Sequence, residues 1–390
     1  MSNRDNEIRQ YQKTHPWISF KFNFNQLDFR VWMLLGEAKS KCEHISGAPL
    51  LPETIADFHR IFLAKGALAT TAIEGNTLSE DEVNKRISGK LELPPSKEYL
   101  GQEIDNIVTA FNLVNKKITK SLDTSRLTLD SIYEYNRIIL DKLTLDEGVV
   151  PGELRTYNVR VATYRAAPAE DCRFLIEKYV NWLNEDFNFE EKDKIVYGIL
   201  KAIVAHLYFV WIHPFGDGNG RTARLIEFQI LRSVGIPSAA AHLLSNHFNA
   251  TRTRYYQMLD KTSKVDGSVY EFIHYALAGL VDQLKEQIDS IQGQQVKVHW
   301  INHIFNTFRG QHSKKDERQR DLMLELSIEV EFQYKEIKQL TPKIALMYAN
   351  LTDLTLRRDL DELVKIGLLV NKGSTYVHNV GILSLGLAQD

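Results

Sequence analysis

A cluster of chemically capable side chains lies between residues 213 and 224, in the sequence HPFGDGNGRTAR. His213 can take up a proton near neutral pH, as a general base must. Asp217 supplies the hard oxygen ligand that Mg²⁺ prefers when it accompanies a nucleotide. Arg221 and Arg224 are three residues apart, so on a helix they share a face and can bracket a polyphosphate. A base, a metal ligand and two guanidinium groups so close together indicate phosphoryl or nucleotidyl transfer.

The elements that must position these side chains are a glycine-rich loop and the helix that follows it. Residues 195–212 form a long apolar run before the loop, and Leu225, Phe228 and Leu231 continue a helical pattern after it. The free N–H groups and positive dipole end at a helix N-terminus bind anions. Glycine allows a positive φ and close approach of phosphate oxygens to the backbone. The loop glycines are Gly216, Gly218 and Gly220.

Two other loop types fail on these residues. An EF-hand loop needs a glycine where Thr222 stands and a bidentate acid where Phe228 stands. A Walker loop needs Gly-Lys-Ser/Thr after its glycines, and none follows here. An ordinary turn remains the competing interpretation, and it would not account for a histidine, an acid and two arginines at these positions.

The run His-Pro-Phe-x-Asp-Gly-Asn-Gly-Arg-x-x-Arg resembles the signature of Fic-domain proteins and matches it at every defined position. The resemblance implies a mainly α-helical core with a β-hairpin flap. It also implies transfer of AMP from MgATP to a tyrosine, serine or threonine hydroxyl of a target protein, for which the chain itself is one candidate. It implies that His213 deprotonates the hydroxyl, Asp217 holds Mg²⁺, and Arg221 and Arg224 orient the β- and γ-phosphates. Asn219, Gly216 and the amides near Gly218 and Gly220 would hold the phosphates. Gly218 stands where Doc-type kinases carry lysine, which favours AMP transfer.

A second segment, TTAIEG at residues 70–75, resembles the inhibitory helix of Fic proteins, Ser/Thr-x-x-x-Glu-Gly/Asn. By itself it would be a helix ending in its glycine C-cap, with a solvated carboxylate. The resemblance implies that Thr70, Glu74 and Gly75 form an inhibitory motif. The Glu74 carboxylate would pair with Arg224 and compete for the guanidinium that should meet the γ-phosphate.

Two further segments are predicted to contribute to the site. Residues 157–162 favour β structure and match the family's flap, so the resemblance implies that Val159 lies at the nucleotide and that a target peptide adds to the flap as a strand. A structural turn is the alternative, and Arg155 is expected to brace this segment. Tyr255 and Tyr256 match a run near the adenine pocket, where stacking competes with core packing. His206 is expected to be a buried, hydrogen-bonded histidine rather than a metal ligand.

The chain is predicted to divide into an N-terminal helical region (1–100), a catalytic core (101–292) and a C-terminal region (297–390). Residues 292–295 are expected to form a link. Helices at residues 342–349 and 355–363, followed by a hairpin at 368–377, resemble a winged-helix domain. Arg357 and Arg358 could meet DNA phosphates, but Asp359, Asp361 and Glu362 favour protein docking or dimer positioning instead. Other helices are expected at residues 27–41, 52–69, 104–114, 127–143, 169–187, 269–291 and 318–328.

Composition sets broad limits. The 390 residues are 44% hydrophobic, enough for a core, and the net charge of −2 gives no overall attraction to nucleic acid or acidic membrane. Cys42 and Cys172 form no metal or redox motif, which predicts a reducing, cytoplasmic setting. No signal peptide is apparent, and no apolar run is expected to span a bilayer. The open alternatives are a DNA-binding regulator with a nucleotide sensor, and a Fic enzyme that transfers UMP or removes AMP; a homodimer is expected from the resemblance.

Overall fold

A computed structural model describes residues 8–48, 52–120, 126–161, 163–187, 189–264, 268–328 and 330–385, with the side chains of residues 52–59 and 384–385 excluded. The chain forms two compact units, Met1–Ile288 and Asp289–Asp390. The predicted N-terminal region is therefore part of the first unit. The reason is that a helix within it, α3, packs against α5, α9 and α11 of the core.

The first unit is mainly helical, with one two-stranded hairpin between α6 and α7. Its elements are α1 (Gln10–Thr14), α2 (Phe29–Gly47), α3 (Pro52–Ala72), α4 (Glu80–Ile87), α5 (Glu98–Lys120), α6 (Leu129–Ile139), β1 (Arg160–Val161), β2 (Tyr164–Arg165), α7 (Cys172–Asp186), α8 (Lys194–Ile212), α9 (Asn219–Ser233), α10 (Ser238–Ala241), α11 (Leu243–Ala250), α12 (Arg252–Thr262) and the start of α13 (Val269–Thr307). The mainly α-helical fold class is confirmed, as is a hairpin where the flap was predicted.

The centre of this unit is α8, which packs along α9. Within Glu191–Ile212 the most apolar 18-residue window has a mean hydropathy of 1.9, so length and composition alone would allow this helix to cross a membrane. That contradicts the expectation from sequence that no run was apolar enough. However, 78% of its most apolar window is buried inside the protein, as expected for a core helix. Its burial therefore identifies it as a helix of the protein core.

Two segments differ from a simple interpretation of the sequence. The stretch 245–259 contains two helices, α11 and α12, that meet at Thr251, whose φ is −114° and ψ is 35°. The Thr251 hydroxyl donates to the carbonyl of His247 at 2.8 Å, a side-chain bond that competes with the helical ladder. The link expected at 292–295 is helical within α13. One glycine costs a helix only about 1 kcal/mol, and the glutamines beside Gly293 are good helix formers.

The second unit combines helices with a three-stranded antiparallel sheet. The elements after α13 are α14 (Lys314–Glu325), β3 (Phe332–Gln333), α15 (Ile337–Leu340), α16 (Pro342–Tyr348), α17 (Asp353–Lys365), β4 (Leu369–Asn371), β5 (Thr375–His378) and α18 (Ile382–Leu385). The sheet order is β3-β5-β4, with Val370 opposite Val377 in the hairpin. The hairpin was expected from sequence, whereas β3 was not, because a two-residue strand has no periodicity to detect.

One charge in this unit lies where the sequence did not place it. Asp359 on α17 is 2% exposed, and its carboxylate accepts hydrogen bonds from Arg318, Gln319 and Tyr348 at 2.7–3.0 Å. Glu362 accepts from Lys315 at 2.7 Å. The prediction that Asp359 would repel phosphates from this helix is therefore wrong, because the carboxylate faces inward and is paired.

Candidate active site

His213 ends α8 and begins the glycine-rich loop. It has left-handed backbone angles, φ 50° and ψ 60°, and its N–H donates to the carbonyl of Phe209 at 2.8 Å. A non-glycine residue in this conformation is uncommon and costs about 1 kcal/mol or more, so the surrounding structure must hold it. This geometry turns the chain at the imidazole, which brings the ring to the cavity described below.

The His213 imidazole is set up as a neutral base. Its Nδ1 lies 3.3 Å from the carbonyl oxygen of Val210, which can only accept, so Nδ1 carries the proton and Nε2 keeps a free lone pair. Burial, and then the nearby Arg155 guanidinium, lower the pKa of His213 to about 4. A hydrogen bond to Val210 and the carboxylates of Glu74 and Asp217 partly oppose that shift. At neutral pH the ring is therefore uncharged and able to accept a proton.

Hydrogen bonds from side chains fix the backbone conformation of the glycine-rich loop. The Asn219 amide accepts from the Phe215 N–H and donates to the Phe215 carbonyl, both at 2.9 Å. Asn136, on α6, donates to the carbonyl of Asp217 at 2.9 Å. Gly218 has φ 74°, and a Cβ there would lie 3.0 Å from Asn136 Nδ2. The Asn219 side chain was expected to hold phosphates; instead it is 2% exposed and both its polar atoms fix the loop.

Asp217, a half-exposed residue of the loop, pairs with Arg221, which is buried in the first turn of α9. Arg221 Nη2 lies 3.3 Å from Asp217 Oδ1, and the Asp217 side chain is 49% exposed. Arg221 Nη1 donates to Oε1 of Glu103 on α5 at 2.9 Å. Glu103 was not predicted, since a single acid on an amphipathic helix carries no sequence signal. Both residues of the motif are thus beside the loop, with Arg221 buried and already paired.

Arg224 and Glu74 form an ion pair, as was expected from the resemblance of residues 70–75. Arg224 Nη2 donates to Glu74 Oε1 at 2.6 Å and to the carbonyl of Thr70 at 2.9 Å. Arg224 is 1% exposed, and its Nε and Nη1 have no hydrogen-bond partner among the described residues. Gly220 makes the approach possible, because a Cβ there would lie 2.2 Å from Glu74 Oε1. Buried donors without partners are costly, so this guanidinium is ready to bind an anion.

Glu74 is presented by a tight turn after α3. The N–H groups of Glu74 and Gly75 donate to the carbonyls of Thr71 and Ala72, both at 3.0 Å, and Gly75 has φ 107°. Burial opposes ionisation of Glu74, but the guanidinium of Arg224 outweighs it and holds the pKa of Glu74 below its ordinary value. The carboxylate is therefore charged at neutral pH.

A cavity of about 370 Å³ adjoins these groups. Its lining includes His213, Glu74 and Gly220, together with Tyr255 and Tyr256 of α12. Tyr255 is 2% exposed and stacks on Phe248, so it packs in the core and forms a wall of the cavity at the same time. Tyr256 is 40% exposed, and its hydroxyl donates to the carbonyl of Ile73 at 3.3 Å.

Val159 is not among the residues that line this cavity. Its carbonyl accepts from the Ala166 N–H at 3.2 Å, a bond within the flap hairpin. Val161, Thr163 and Tyr164 line the cavity instead. Side chains alternate between the two faces of a strand, and the sequence did not show which residue of the flap meets the site.

His206 is the buried, hydrogen-bonded histidine that the sequence predicted. Its Nε2 lies 3.0 Å from the Tyr255 hydroxyl and its Nδ1 lies 3.2 Å from Glu227 Oε2, and the side chains of His206 and Glu227 are fully buried. No group of three or more potential metal ligands occurs in the described part of the chain. Glu227 was not predicted, because an acid within an apolar helix pattern gives no indication of its partner.

Arg155 braces the flap against the loop, as predicted. Its guanidinium donates to the carbonyls of His213 and Tyr157 at 2.8 Å each, and also to Ala167. Its own N–H donates to the carbonyl of Pro214 at 3.0 Å. These bonds join both ends of the hairpin segment to the residues around the base, so Arg155 positions the base without reaching the cavity.

The residues present fit a Mg²⁺ ion that arrives with a nucleotide. Mg²⁺ in nucleotide sites commonly takes one or two carboxylates and fills its other positions with phosphate oxygens and water. Asp217 offers one half-exposed carboxylate at the mouth of the loop. Its contact with Arg221 is long, at 3.3–3.4 Å, so an ion can replace it at small cost.

Residues 126–231 match the Fic/DOC family. The chain is similar to protein adenylyltransferase fic-1 of Caenorhabditis briggsae, at 25% identity over 67% of this chain and 46% of that protein. It is also similar to protein adenylyltransferase Fic of Nematostella vectensis, at 29% identity over 53% of this chain and 44% of that protein. The chain thus spans less than half the length of these curated relatives.

Solved structures show the same fold. A Fic family protein from Desulfovibrio desulfuricans G20 aligns with a TM-score of 0.56 and 19% identity, over 90% of this chain and 97% of that one. Residues 134–508 of Fic-1 from Caenorhabditis elegans align with a TM-score of 0.56 and 23% identity, over 68% of this chain and 73% of that one. At these identities the likeness concerns the fold.

Proposed function

We propose that this chain is a protein adenylyltransferase that transfers AMP from MgATP to a hydroxyl group of a protein. The observation that carries the proposal is one arrangement: a neutral His213 and the first turn of α9 line one cavity, together with Glu74, whose carboxylate pairs with the buried Arg224. The names of the relatives, which are protein adenylyltransferases, support the same activity.

The chemistry follows from the positions of these groups. The acceptor oxygen attacks the α-phosphorus of ATP, the bond from that phosphorus to the oxygen bridging to the β-phosphate breaks, and pyrophosphate leaves. The hydroxyl proton passes to Nε2 of His213, whose Nδ1 proton stays bonded to the Val210 carbonyl. The free N–H groups and dipole of α9 stabilise the charge that builds on the phosphate oxygens. Asn219 contributes by holding the loop in shape.

Asp217 is the residue that would hold Mg²⁺. The ion, when bound, neutralises phosphate charge and so favours departure of pyrophosphate. Arg221 stays anchored through Glu103 when Asp217 turns to the ion, because the Glu103 bond is shorter and more buried. Gly216 and Gly220 leave room for phosphate oxygens beside the backbone.

Glu74 is proposed to inhibit the enzyme in this conformation. The guanidinium group that should orient the terminal phosphate is occupied at 2.6 Å by the Glu74 carboxylate. A bound triphosphate would meet that negative charge, and its α-phosphate would lie away from the line of attack. Displacement of Glu74 restores the site, so inhibition depends on the turn that presents Glu74.

The target is proposed to bind along the flap. Within the described chain, β1 pairs with β2 alone, and the Arg165 carbonyl of β2 is bonded to His15 Nε2 at 2.8 Å. The edge of β1 is therefore the one that a target strand can extend. Such a strand would present its hydroxyl beside His213.

Incubation with labelled ATP and Mg²⁺ tests the proposal. Glu74→Gly should transfer more label to protein than the native chain, and His213→Ala should transfer none. Parallel reactions with UTP, and with an adenylylated product as substrate, separate AMP transfer from UMP transfer and AMP removal. No transferred label in any variant would refute the proposed activity.

A DNA-binding regulator is the second candidate, and burial of Asp359 favours it. With that acid paired inside the unit, Arg357 and Arg358 on α17 remain exposed. The helices α16 and α17 and the hairpin β4–β5 suit a winged-helix module. Salt-sensitive binding to one DNA sequence, lost in Arg358→Ala, would establish it. A homodimer and a cytoplasmic setting stay predictions.

A further inference from the structure

Four polar side chains form a continuous series of hydrogen bonds from the turn that carries Glu74 to the glycine-rich loop. Asn76 Nδ2 donates to Glu103 Oε2 at 2.9 Å. Glu103 Oε1 accepts from Arg221 Nη1, also at 2.9 Å. Arg221 Nη2 then lies 3.3 Å from Asp217. The first member stands two residues after Glu74, and the last is the candidate Mg²⁺ ligand.

Asn76 closes the turn that carries Glu74. Its backbone N–H donates to the Thr71 carbonyl at 3.2 Å, which folds the segment back on the end of α3. Its side chain also donates to the Leu100 carbonyl at 2.9 Å and accepts from the Leu78 N–H at 3.0 Å. Asn76 is 7% exposed, so these bonds are shielded from water. The direction of the Glu74 side chain therefore depends on where Asn76 is held.

Glu103 is suited to hold two partners at once. An ionised carboxylate has two oxygens that both accept hydrogen bonds, and here each oxygen has a different partner. The Glu103 side chain is 16% exposed and that of Arg221 is 6% exposed, so the bonds form in a poorly hydrated environment. An amide at this position would weaken both bonds, because it lacks the negative charge that strengthens each of them and its nitrogen, a donor, would face one of the two donors.

We propose that Glu103 is a positioning residue shared by Arg221 and by the segment that carries Glu74, so that loss of the Asn76–Glu103 bond releases Glu74 from Arg224. This inference rests on the proposed function, since it concerns the regulation of that site. It assigns the two oxygens different roles: Oε1 keeps the nucleotide-binding arginine in place, and Oε2 keeps the inhibitory turn in place. Glu103 itself does not line the cavity.

The two roles predict different effects for the two partners. Breaking the bond at Asn76 frees the Glu74 turn but leaves Arg221 bonded to Glu103, so transfer should rise only where Glu74 is present. Changing Glu103 disturbs both ends, so the turn is freed and ATP is bound less well. A residue that merely stabilised the fold would lower transfer in both cases.

The experiment compares Asn76→Ala and Glu103→Gln, each in the native chain and in the Glu74→Gly chain, with Asn84→Ala as control. Among the described residues, the Asn84 side chain donates only to the Glu80 carbonyl of its own helix, at 2.9 Å. Hydrogen exchange is measured for the peptide covering residues 70–78 and for a peptide from α9. ATP dissociation constants, kcat and KM for ATP are measured for every variant.

We expect exchange in residues 70–78 to become about ten-fold faster in both variants and to stay unchanged in α9 and in Asn84→Ala. Asn76→Ala should raise kcat about ten-fold in the native chain and leave it unchanged in the Glu74→Gly chain. In the Glu74→Gly chain, Glu103→Gln should raise the ATP dissociation constant and KM about ten-fold, with a smaller change in kcat.

Unchanged exchange at residues 70–78, or an equal loss of transfer by Asn76→Ala in both chains, would overturn the proposal. An unchanged ATP dissociation constant in Glu103→Gln would overturn the role of Oε1. If Glu74→Gly transfers no AMP at all, the proposed function is refuted, but the proposed role of Glu103 is not. Exchange and ATP binding still decide the role of Glu103 in that case, because neither measurement needs turnover.

Discussion

Replacing Glu74 tests the central electrostatic feature of the site. Glu74→Gly removes the carboxylate that occupies Arg224 at 2.6 Å, and Glu74→Gln keeps the shape but removes the charge. Arg224 is almost fully buried, whereas 33% of the Glu74 side chain is exposed. The pair is therefore stronger than a surface salt bridge but weaker than a fully buried one.

The expected size follows from one charge-assisted hydrogen bond. Such a bond contributes about 1.5–3 kcal/mol, and the exposed third of Glu74 favours the lower end, about 1.5–2 kcal/mol. Because each 1.4 kcal/mol is a factor of ten, Glu74→Gly should raise the transfer rate by about 10- to 30-fold. Glu74→Gln keeps a neutral acceptor, so its rate should rise by only about 2- to 5-fold.

The assay is the initial rate of label transfer from ATP at saturating Mg²⁺. Glu80→Gln is the matched control, since Glu80 is an exposed acid on the next helix, 3.9 Å from Lys65, and should leave the rate unchanged. Rates for Glu74→Gly within two-fold of the native chain would refute the reasoning. So would a Glu74→Gln rate above that of Glu74→Gly, because charge would then not be the cause.

Four further outcomes are expected. Gly220→Ala places a Cβ 2.2 Å from Glu74 Oε1, so the carboxylate should leave Arg224. The rate of transfer should nevertheless fall, because the new methyl group also crowds the phosphate. A crystal structure of the variant and its transfer rate check these two outcomes. With the pKa of His213 lowered to about 4, kcat of the Glu74→Gly chain should be flat from about pH 6 to 8, and a midpoint near pH 6.5 would contradict it. Arg155→Lys should destabilise the first unit by about 2–4 kcal/mol in denaturant unfolding, since several buried carbonyls lose their donor. Asp359→Asn should destabilise the second unit by about 3–5 kcal/mol, seen as a lower thermal midpoint, because Arg318 loses its counterion; an unchanged midpoint would show that the pair is dispensable.

Much of the site could be predicted from sequence because its chemistry is local. His213, Asp217, Arg221 and Arg224 lie within twelve residues, and α9 begins at Asn219, inside that same stretch. The Glu74 motif was also recognisable, and the structure places its carboxylate on Arg224. Apolar periodicity predicted where helices form. Several helix ends differ from the predicted ones by a few residues, because capping and packing decide where a helix ends.

Tertiary structure alone decided which partner each polar group found. Glu103 and Arg221 are 118 residues apart, and Arg155 meets the His213 carbonyl across 58 residues. The inward face of Asp359 depended on Arg318, Gln319 and Tyr348 surrounding it. The spacing of apolar residues shows which face of a helix is buried, because burial repeats with the helix period. It does not show the partner of a single buried charge, because that partner depends on how distant helices pack.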